Sequence, residues 1–451
     1  NIPMLQDPRL TLEFNDARNT LLLEDVKYDL IAAQPSHPWL SRASTVFTKE
    51  FFQVVKSRLN EGGIYGQWLS MFNMDATTMR AIMKAFYDVF PEGFTMADVS
   101  TGDFLLFGSE KPLNFDIERV GKRFNEEKIK KGMAYSNLQE PQDLLWYFAL
   151  SRDQAVEAAG DMVPNTDMNI LSEVRLSALD RNATGDENPY NLLWDNYTLD
   201  AGDMLGDDAA DIFYDYAQSL YRWDEFKLVH YTVNNLLKHD ATKARAVDHE
   251  FQWRIYDYDG AIALYEKNER WPDVTHQQQA EIMMELIRFE DAKKAIGRIQ
   301  DEKLRRTMQA KLLFKQGKLK QLSRIKSVSD AERAWQLTAL AESNLKKAGK
   351  SLVDLIDKVS LEEAQLRVLV RYFGSINDEL NMNKYSRELV ALIDNRAKQM
   401  VKALNMAIEK KAALRARSLL TRIEVLKPNV KNLEDLRKQV DALENVESVK
   451  A

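Results

Sequence analysis

From about residue 201 to the C-terminus, only seven glycines (Gly202, Gly206, Gly260, Gly297, Gly317, Gly349 and Gly374) and two prolines (Pro272 and Pro428) interrupt amphipathic helical patterns. A stretch of this length with so few breakers leaves no room for a sheet, so about half of the molecule must be all-α. A weak internal similarity runs through it. Tyr221-Arg-Trp-Asp-Glu-Phe226, Tyr256-Asp-Tyr-Asp-Gly-Ala-Ile262, Ile287-Arg-Phe-Glu-Asp-Ala-Lys293 and Leu313-Phe-Lys-Gln-Gly-Lys-Leu319 each put an aromatic residue, then polar residues or glycine, before an apolar helix start. Measured from Trp223, Tyr258, Phe289 and Phe314, the spacings are 35, 31 and 25 residues. Helix-turn-helix repeats of the tetratricopeptide kind recur at about 34 residues, so the pattern predicts a TPR-like helical solenoid over 201–451, with an ordinary helical bundle as the alternative.

The N-terminal part alternates. Arg9-Leu-Thr-Leu-Glu-Phe14 predicts a short strand and 17–23 a short helix. Tyr28-Asp-Leu-Ile-Ala-Ala33 is a nearly continuous apolar run of the sort buried on both faces of a parallel sheet. Thr48 to Leu59 places Phe51, Val54, Val55 and Leu59 on one helix face before the Gly62-Gly63 stop. A strand over 64–70, a helix over 76–90 and an antiparallel pair at 93–98 and 103–108 complete the order. This is the second half of a doubly wound α/β domain, spanning 1–115. No glycine precedes Gly62, so the Gly-rich turn through which backbone N–H groups approach a nucleotide is not in this stretch. The expectation is a domain whose first half is missing from this sequence or whose sheet is completed elsewhere. Residues 116–200, with Pro164-Asn-Thr-Asp167 and the turn-rich 182–189, predict a helical linker segment. The fold class is α/β followed by all-α.

The net charge of −7 gives no sign of a nucleic-acid binder, yet it conceals a split. From position 301 onward there are 31 basic against 20 acidic residues, and before it 31 against 49. The absence of cysteine rules out disulfides, thiolate metal sites and a cysteine nucleophile, and is compatible with a reducing compartment. No run of about 18 apolar residues occurs, and the opening residues read as neither a signal nor a transit peptide. The chain is expected to be cytoplasmic.

In an open α/β sheet, ligands sit beyond the carboxyl ends of the strands. Three stretches qualify: Asn15-Asp16-Ala17-Arg18, Gln34-Pro-Ser-His-Pro-Trp39 and Gln67-Trp68-Leu-Ser70. Asp16 suits acceptance of hydrogen bonds from an adenine amino group, and equally a helix N-cap. Trp39, Gln67 and Trp68 are pocket candidates, against the simpler reading of aromatic packing at strand ends. The acidic run Asp200, Asp203, Asp207, Asp208, Asp211 and Asp215 lacks the glycine and terminal glutamate of a calcium loop and reads as a solvated helix face. His230, His239 and His249 are too widely spaced for a zinc motif. A basic helix from about Asn395 to Lys427 suits either an anionic lipid surface or, preferentially, the charged outer face of the last repeats.

Asp7-Pro-Arg-Leu-Thr-Leu-Glu-Phe-Asn-Asp-Ala-Arg-Asn, Tyr28-Asp-Leu-Ile, Pro35-Ser-His-Pro-Trp, Phe47-Thr-Lys-Glu-Phe-Phe and Gly62-Gly-Ile-Tyr-Gly-Gln-Trp-Leu together resemble the polyamine aminopropyltransferases. Within them the chain is most similar to the spermidine synthase-like branch, many members of which carry transmembrane helices ahead of the transferase domain. Pro164-Asn-Thr-Asp and Leu171-Ser-Glu-Val-Arg resemble a segment common in that branch, where a helical extension follows. The resemblance implies a methyltransferase-like fold, a nucleoside contact at Asp16 and Ala17, and decarboxylated S-adenosylmethionine or methylthioadenosine as the ligands to test. It also implies a membrane tether outside this chain and a place at the inner face of a membrane.

The loop after the second strand of that family normally supplies two aspartates, one of which helps to strip a proton from the cationic amine before nitrogen attacks carbon. Here the loop reads Gln34-Pro35-Ser36-His37-Pro38, with both acidic positions lost. Gln34 cannot take a proton, so the base role passes only to His37, whose ordinary pKa of about 6.5 suits it. Two readings follow: a transferase-type domain that binds a sulfonium nucleoside, and a catalytically impaired domain that anchors helical repeats for binding protein partners.

Overall fold

The apolar strands of the N-terminal part form one mixed five-stranded sheet in the spatial order Tyr28–Ala33, Leu59–Ser70, Asp103–Ser109, Glu92–Asp98, Phe148–Ser151. In the computed structural model, which describes residues 7–38, 40, 43–72, 74–177, 188–223, 225–267 and 270–450, the chain makes two compact units, 1–240 and 241–451. The first contains α1 (Ala17–Leu23), β1 (Tyr28–Ala33), α2 (Lys49–Ser57), β2 (Leu59–Ser70), α3 (Ala76–Tyr87), β3 (Glu92–Asp98) and β4 (Asp103–Ser109). There follow α4 (Ile117–Phe124), α5 (Glu127–Tyr135), β5 (Phe148–Ser151), α6 (Arg152–Ala159), α7 (Leu171–Ser177), α8 (Pro189–Asn196), α9 (Gly202–Leu205), α10 (Ala209–Arg222) and α11 (Phe226–His239). β1 and β2 are parallel, with Ala33 opposite Gln67; β4 pairs antiparallel with both β2 and β3, and β5 pairs antiparallel with β3 at the far edge.

Capping and side-chain volume explain the local choices. Thr48 caps α2 by accepting from the Phe51 amide, and Asp75 caps α3 by accepting from the Thr78 amide at 2.6 Å. The two helices bury Phe51, Phe52, Val55, Met79, Ile82, Met83 and Phe86 in one cluster with Tyr65, Leu69, Phe104 and Leu106 of the sheet. Each such large side chain contributes roughly 1.5–3 kcal/mol on leaving water. Phe86 is its centre, edge-on to Phe52 at 5.1 Å and stacked on Tyr65 at 5.6 Å. Gly108 lets β4 pass beneath this group, since a Cβ there would lie 2.5 Å from Phe90 and 2.8 Å from Phe86.

Three sequence expectations need correction here. Residues 9–14 form no strand, because β1 is the edge of the sheet and no described segment pairs with them. Nor is β1 buried on both faces: Leu30 is 62% exposed. The segment 116–200 is not wholly helical, since β5 pairs with β3.

Two polar clusters fix the connections of this unit. Asn165, fully buried, donates to the Phe47 carbonyl at 2.8 Å, and its backbone amide donates to the Ala81 carbonyl. Asp167 accepts both guanidinium nitrogens of Arg18 at 2.9 and 2.5 Å and the Thr48 hydroxyl at 2.7 Å. Asp143, also fully buried, accepts from Ser219, from Arg222 at 2.7 Å and from the amides of Gln139 and Glu140.

The second unit is a run of helical hairpins: α12 (Ala241–Arg254) with α13 (Tyr258–Glu266), α14 (Asp273–Glu285) with α15 (Phe289–Arg298), α16 (Glu302–Lys315) with α17 (Leu319–Leu322), α18 (Asp330–Leu340) with α19 (Leu345–Val353), and α20 (Glu363–Ser375) with α21 (Glu379–Glu409). α22 (Ala413–Leu426) and α23 (Leu433–Lys450) complete it. The first helices of successive hairpins touch in series, α12 to α14, α14 to α16, α16 to α18 and α18 to α20, which is the contact pattern of a solenoid.

The recurring sequence signature lies at the turns inside the hairpins. Tyr256, Ile287, Gly317 and Asn377 in these turns, and Lys411 in the turn between α21 and α22, have φ between 54° and 71°. The amide of the next residue reaches back five positions in each case: Asp257 to Gln252, Arg288 to Met283, Lys318 to Leu313, Asp378 to Phe373 and Ala412 to Ala407. This is the Schellman bond that closes a helix on a left-handed residue. Measured at the first residue of the helix after the turn (Phe226, Tyr258, Phe289, Leu319), the spacings become 32, 31 and 30 residues, more regular than the aromatic positions suggest. The basic helix expected over 395–427 is two helices, because the Lys411 turn divides it. Several of its cations are tied down: Arg415 by Asp257, Arg417 by Asp441 and Glu444, Lys427 by Asp394. No helix among the described residues is long and apolar enough to cross a membrane.

Candidate functional site

The parallel pair β1 and β2 ends on one edge, so Gln34 follows beside Trp68, and the loop 34–38 and the end of β2 form the ligand-side rim of the sheet. Successive residues of β2 point to opposite faces. Gln67 points into the helix-covered core, where it is fully buried, accepts the Tyr65 hydroxyl and donates to the Trp68 carbonyl at 2.9 Å. Burial pushes the Tyr65 phenol well above its ordinary range, which keeps it a donor in this pair.

Trp68 points the other way. Its indole N–H donates to Asp103 Oδ1 at 2.7 Å, and Asp103 also accepts the Thr101 hydroxyl at 2.6 Å. The His37 ring, half-buried, stands 6.2 Å from Trp68 at an interplanar angle of 45°. This open face continues through half-buried Leu105, Phe107, Phe94 and Met96, with Phe94 and Phe107 stacked at 4.9 Å.

Of the residues singled out from the sequence, the structure therefore brings together His37 and Trp68. Gln34 is exposed at the end of β1, and Gln67 belongs to the opposite face. Trp39 lies outside the described residues. Asp16 and Ala17 are exposed at the start of α1, where Asp16 is its N-cap: the carboxylate accepts from the Asn19 amide at 2.9 Å, and the Asp16 amide donates to Asn15 Oδ1.

Sequence reasoning missed two anchoring groups, Asp103 behind Trp68 and Asp167 on Arg18. The second carried a signal, since Pro164-Asn-Thr-Asp167 is the segment that resembles the helical extension. The Arg18 hydrogen bonds hold the Asp167 carboxyl below the usual carboxylate range, so it is a structural counter-ion and no reservoir of protons.

A small mixed α/β sheet whose one parallel pair, β1 and β2, ends on a common rim, followed by an all-helical region, is the class these features define. Residues 1–101 match the spermine/spermidine synthase domain. Over 171 residues the chain is 27% identical to a polyamine aminopropyltransferase of Korarchaeum cryptofilum (strain OPF8), an alignment that covers 36% of this chain and 51% of that protein. The chain thus spans about half the length of the curated relative it matches. Its α/β part is spermidine synthase-like.

Proposed function

We propose that the chain is a catalytically impaired spermidine synthase-like protein whose helical repeats act as a scaffold for protein partners. One observation carries the first half of this reading: the rim loop 34–38 presents Gln34, Ser36 and His37 and no carboxylate. An ammonium substrate needs one group to take its proton and others to balance its remaining charges; the oxygens of Gln34 and Ser36 accept its hydrogen bonds but carry no charge and take no proton at neutral pH, which leaves His37 as the one base of the loop. Asp103, the acid nearest to Trp68 along the ladder, is engaged by the indole and by Thr101. The second half is supported by the serial hairpin contacts, because solenoids expose long concave surfaces in proportion to their length.

A second reading is favoured by the activity for which the Korarchaeum relative is named, together with the edge of β1, which no described segment pairs. In it, a longer form of the protein completes the sheet and works as a polyamine aminopropyltransferase, or another transferase using a sulfonium nucleoside, with His37 as base. Isothermal calorimetry on this chain and on a longer native form, with methylthioadenosine and decarboxylated S-adenosylmethionine and then spermidine and putrescine, separates the two. The impaired-scaffold reading expects no aminopropyl transfer by either form. Saturable nucleoside binding together with transfer that His37→Gln abolishes would establish the enzyme instead.

A further inference from the structure

The second unit contains a cleft of about 200 Å³ between the turn that joins α12 to α13 and the helices α14, α16 and α21. One wall is aromatic, with Trp253 and Tyr256 half-buried and Tyr258 behind them. Opposite stands Glu285, whose carboxylate faces three cations: Arg396 at 3.2 Å, Lys315 at 3.3 Å and Arg422 at 3.6 Å. The Arg422 guanidinium also lies over the rings of Tyr258, at 4.9 Å, and Tyr256, at 5.4 Å.

The distances carry the argument. A charge-assisted N–H to carboxylate contact settles at about 2.7–2.9 Å when the pair is matched. One carboxylate spread over three cations at 3.2–3.6 Å is not matched, and even with Glu363 of α20, whose charge also acts on Arg396, the cations remain in excess. Burial pushes the Glu285 carboxyl up, and the charges of Lys315, Arg396 and Arg422 outweigh it and hold the group below its usual range. The far end of the cleft is the reverse. Lys311 sits 2.9 Å from both Glu281 and Glu362, so the positive excess is confined to the end beside the tyrosines.

We propose that this cleft docks an acidic peptide segment, with one partner carboxylate seated among Arg396, Arg422 and Lys315 and the adjoining apolar atoms against Trp253 and Tyr256. The inference deepens the scaffold reading and rests on it. Charge complementarity selects the occupant: a polyamine would meet three cations, and a flat lipid surface does not reach cations lodged in a concavity. The volume takes one side chain and not a nucleotide or a cofactor.

The test is fluorescence anisotropy on the full chain with a fluorescein-labelled peptide of glutamates around one central phenylalanine. The glutamine analogue, a lysine analogue, oligouridylate, inorganic phosphate and spermidine serve as competitors. Saturable binding of the glutamate peptide is expected, weakened about tenfold by Arg396→Gln and by Arg422→Gln, which is roughly 1.4 kcal/mol. Glu285→Gln provides the control for folding. If the three cations are in excess, removing the internal carboxylate leaves binding intact or tightens it, whereas a purely structural network gives a less stable protein with no gain in affinity. Circular dichroism of each variant confirms that the helices persist. No saturable binding overturns the docking site, as does displacement by phosphate or oligouridylate at lower concentration than by the glutamate peptide. Binding that both arginine variants leave unchanged overturns the location while the scaffold reading stands. Preference for the lysine analogue likewise overturns the acidic partner and leaves that reading standing.

Discussion

The sheet unit and the helical unit bury their apolar residues by different rules. In the first, one large cluster runs from Phe47 to Leu193 and joins β2 and β4 to α2, α3, α6 and α8, so residues far apart in sequence share a core, while α10 and α11 bury Phe213, Tyr216, Leu220, Val229 and Leu236 outside it. In the second, buried residues fall into separate groups, one across α14 to α16, another across α16 to α18, another across α18 to α21. Charge divides the same way. Residues 1–240 hold 22 basic and 38 acidic side chains, and 241–451 hold 40 and 31. The difference teaches where to look for function. A sheet domain gathers its chemistry at one rim, and here the rim has no carboxylate in its loop. A solenoid distributes its surface, and here an ionic cleft is lined by helices of four hairpins, α12–α13, α14–α15, α16–α17 and α20–α21.

The largest expected effect tests the two kinds of core against each other. Phe86→Ala removes the ring shared by Phe52, Tyr65 and Phe90 and should cost about 3–5 kcal/mol. Ile296→Ala, inside one hairpin group, should cost about 2–5 kcal/mol. Hydrogen exchange should distinguish their reach. Phe86→Ala should lower protection together in β2, β4, α2 and α3, and Ile296→Ala only in α14, α15 and α16. If Ile296→Ala instead lowers protection equally from α12 to α22, the helical unit has one core and the contrast collapses.

How much of this was legible follows from the same difference. Local patterns reveal local structure: the 28–33 run, the helix expected over 48–59, which ends at Ser57 so that Leu59 opens β2 instead, and the antiparallel pair expected at 93–98 and 103–108 all form near where periodicity places them. The errors come from context. Arg9 to Phe14 alternates like a strand but pairs with no described segment, and the apolar run of β1 implies double burial only where layers cover both faces, which they do not at Leu30. The four residues of β5 are too short to read, and they exist because Met96 lies opposite Phe148. The hairpin signature was visible at Tyr256 and Ile287, yet its register is set by the left-handed turn residue, which at those positions is not glycine. At the rim, the loss of acidic residues could be read directly, while the separation of Gln67 from Trp68 required knowing which face the helices cover. The cleft was invisible, because Glu285 and Arg396 are 111 residues apart and only the stacking of hairpins joins them.

A smaller effect separates the units by pH. Burial lowers the imidazole of His249, which is fully buried with its nitrogens facing Gln278 and Gln279, and likewise lowers His276, whose Nδ1 meets the Tyr265 hydroxyl at 2.6 Å. A group depressed in the folded state takes up protons first in the unfolded chain. Stability of the helical unit therefore declines as pH falls below about 6.5, by roughly 1.4 kcal/mol for each unit of depression. Asp248, whose carboxyl burial pushes up, acts in the opposite sense at lower pH. In the sheet unit the contribution of Asp167 is complete above pH 3.8 and is lost only below it. Thermal melts followed by hydrogen exchange should show residues 241–451 weakening between pH 7 and pH 5 while 1–177 hold. His249→Gln should remove part of that decline, and an unchanged slope would count against His249 as its source.

The smallest effect decides what Asp16 does. α1 has seven residues, none of them buried, so its start depends on the Asp16 cap and on the Arg18 pair with Asp167. Asp16→Ala should cost about 1 kcal/mol, confined to α1 and read as faster exchange at the Asn19 and Thr20 amides with no change in the melting of the helical unit. Asp16→Asn keeps an N-cap oxygen and removes the charge, so it should leave those amides protected. The pair of variants sharpens the comparison, because capping needs only an oxygen, whereas a carboxylate that orders a nucleoside through its charge is lost in both. If methylthioadenosine binds a longer form of the protein and Asp16→Asn weakens it as much as Asp16→Ala, the carboxylate contacts ligand and the rim is a working nucleoside site. If only Asp16→Ala has an effect, Asp16 serves the helix, and the chemistry of the chain belongs to its repeats.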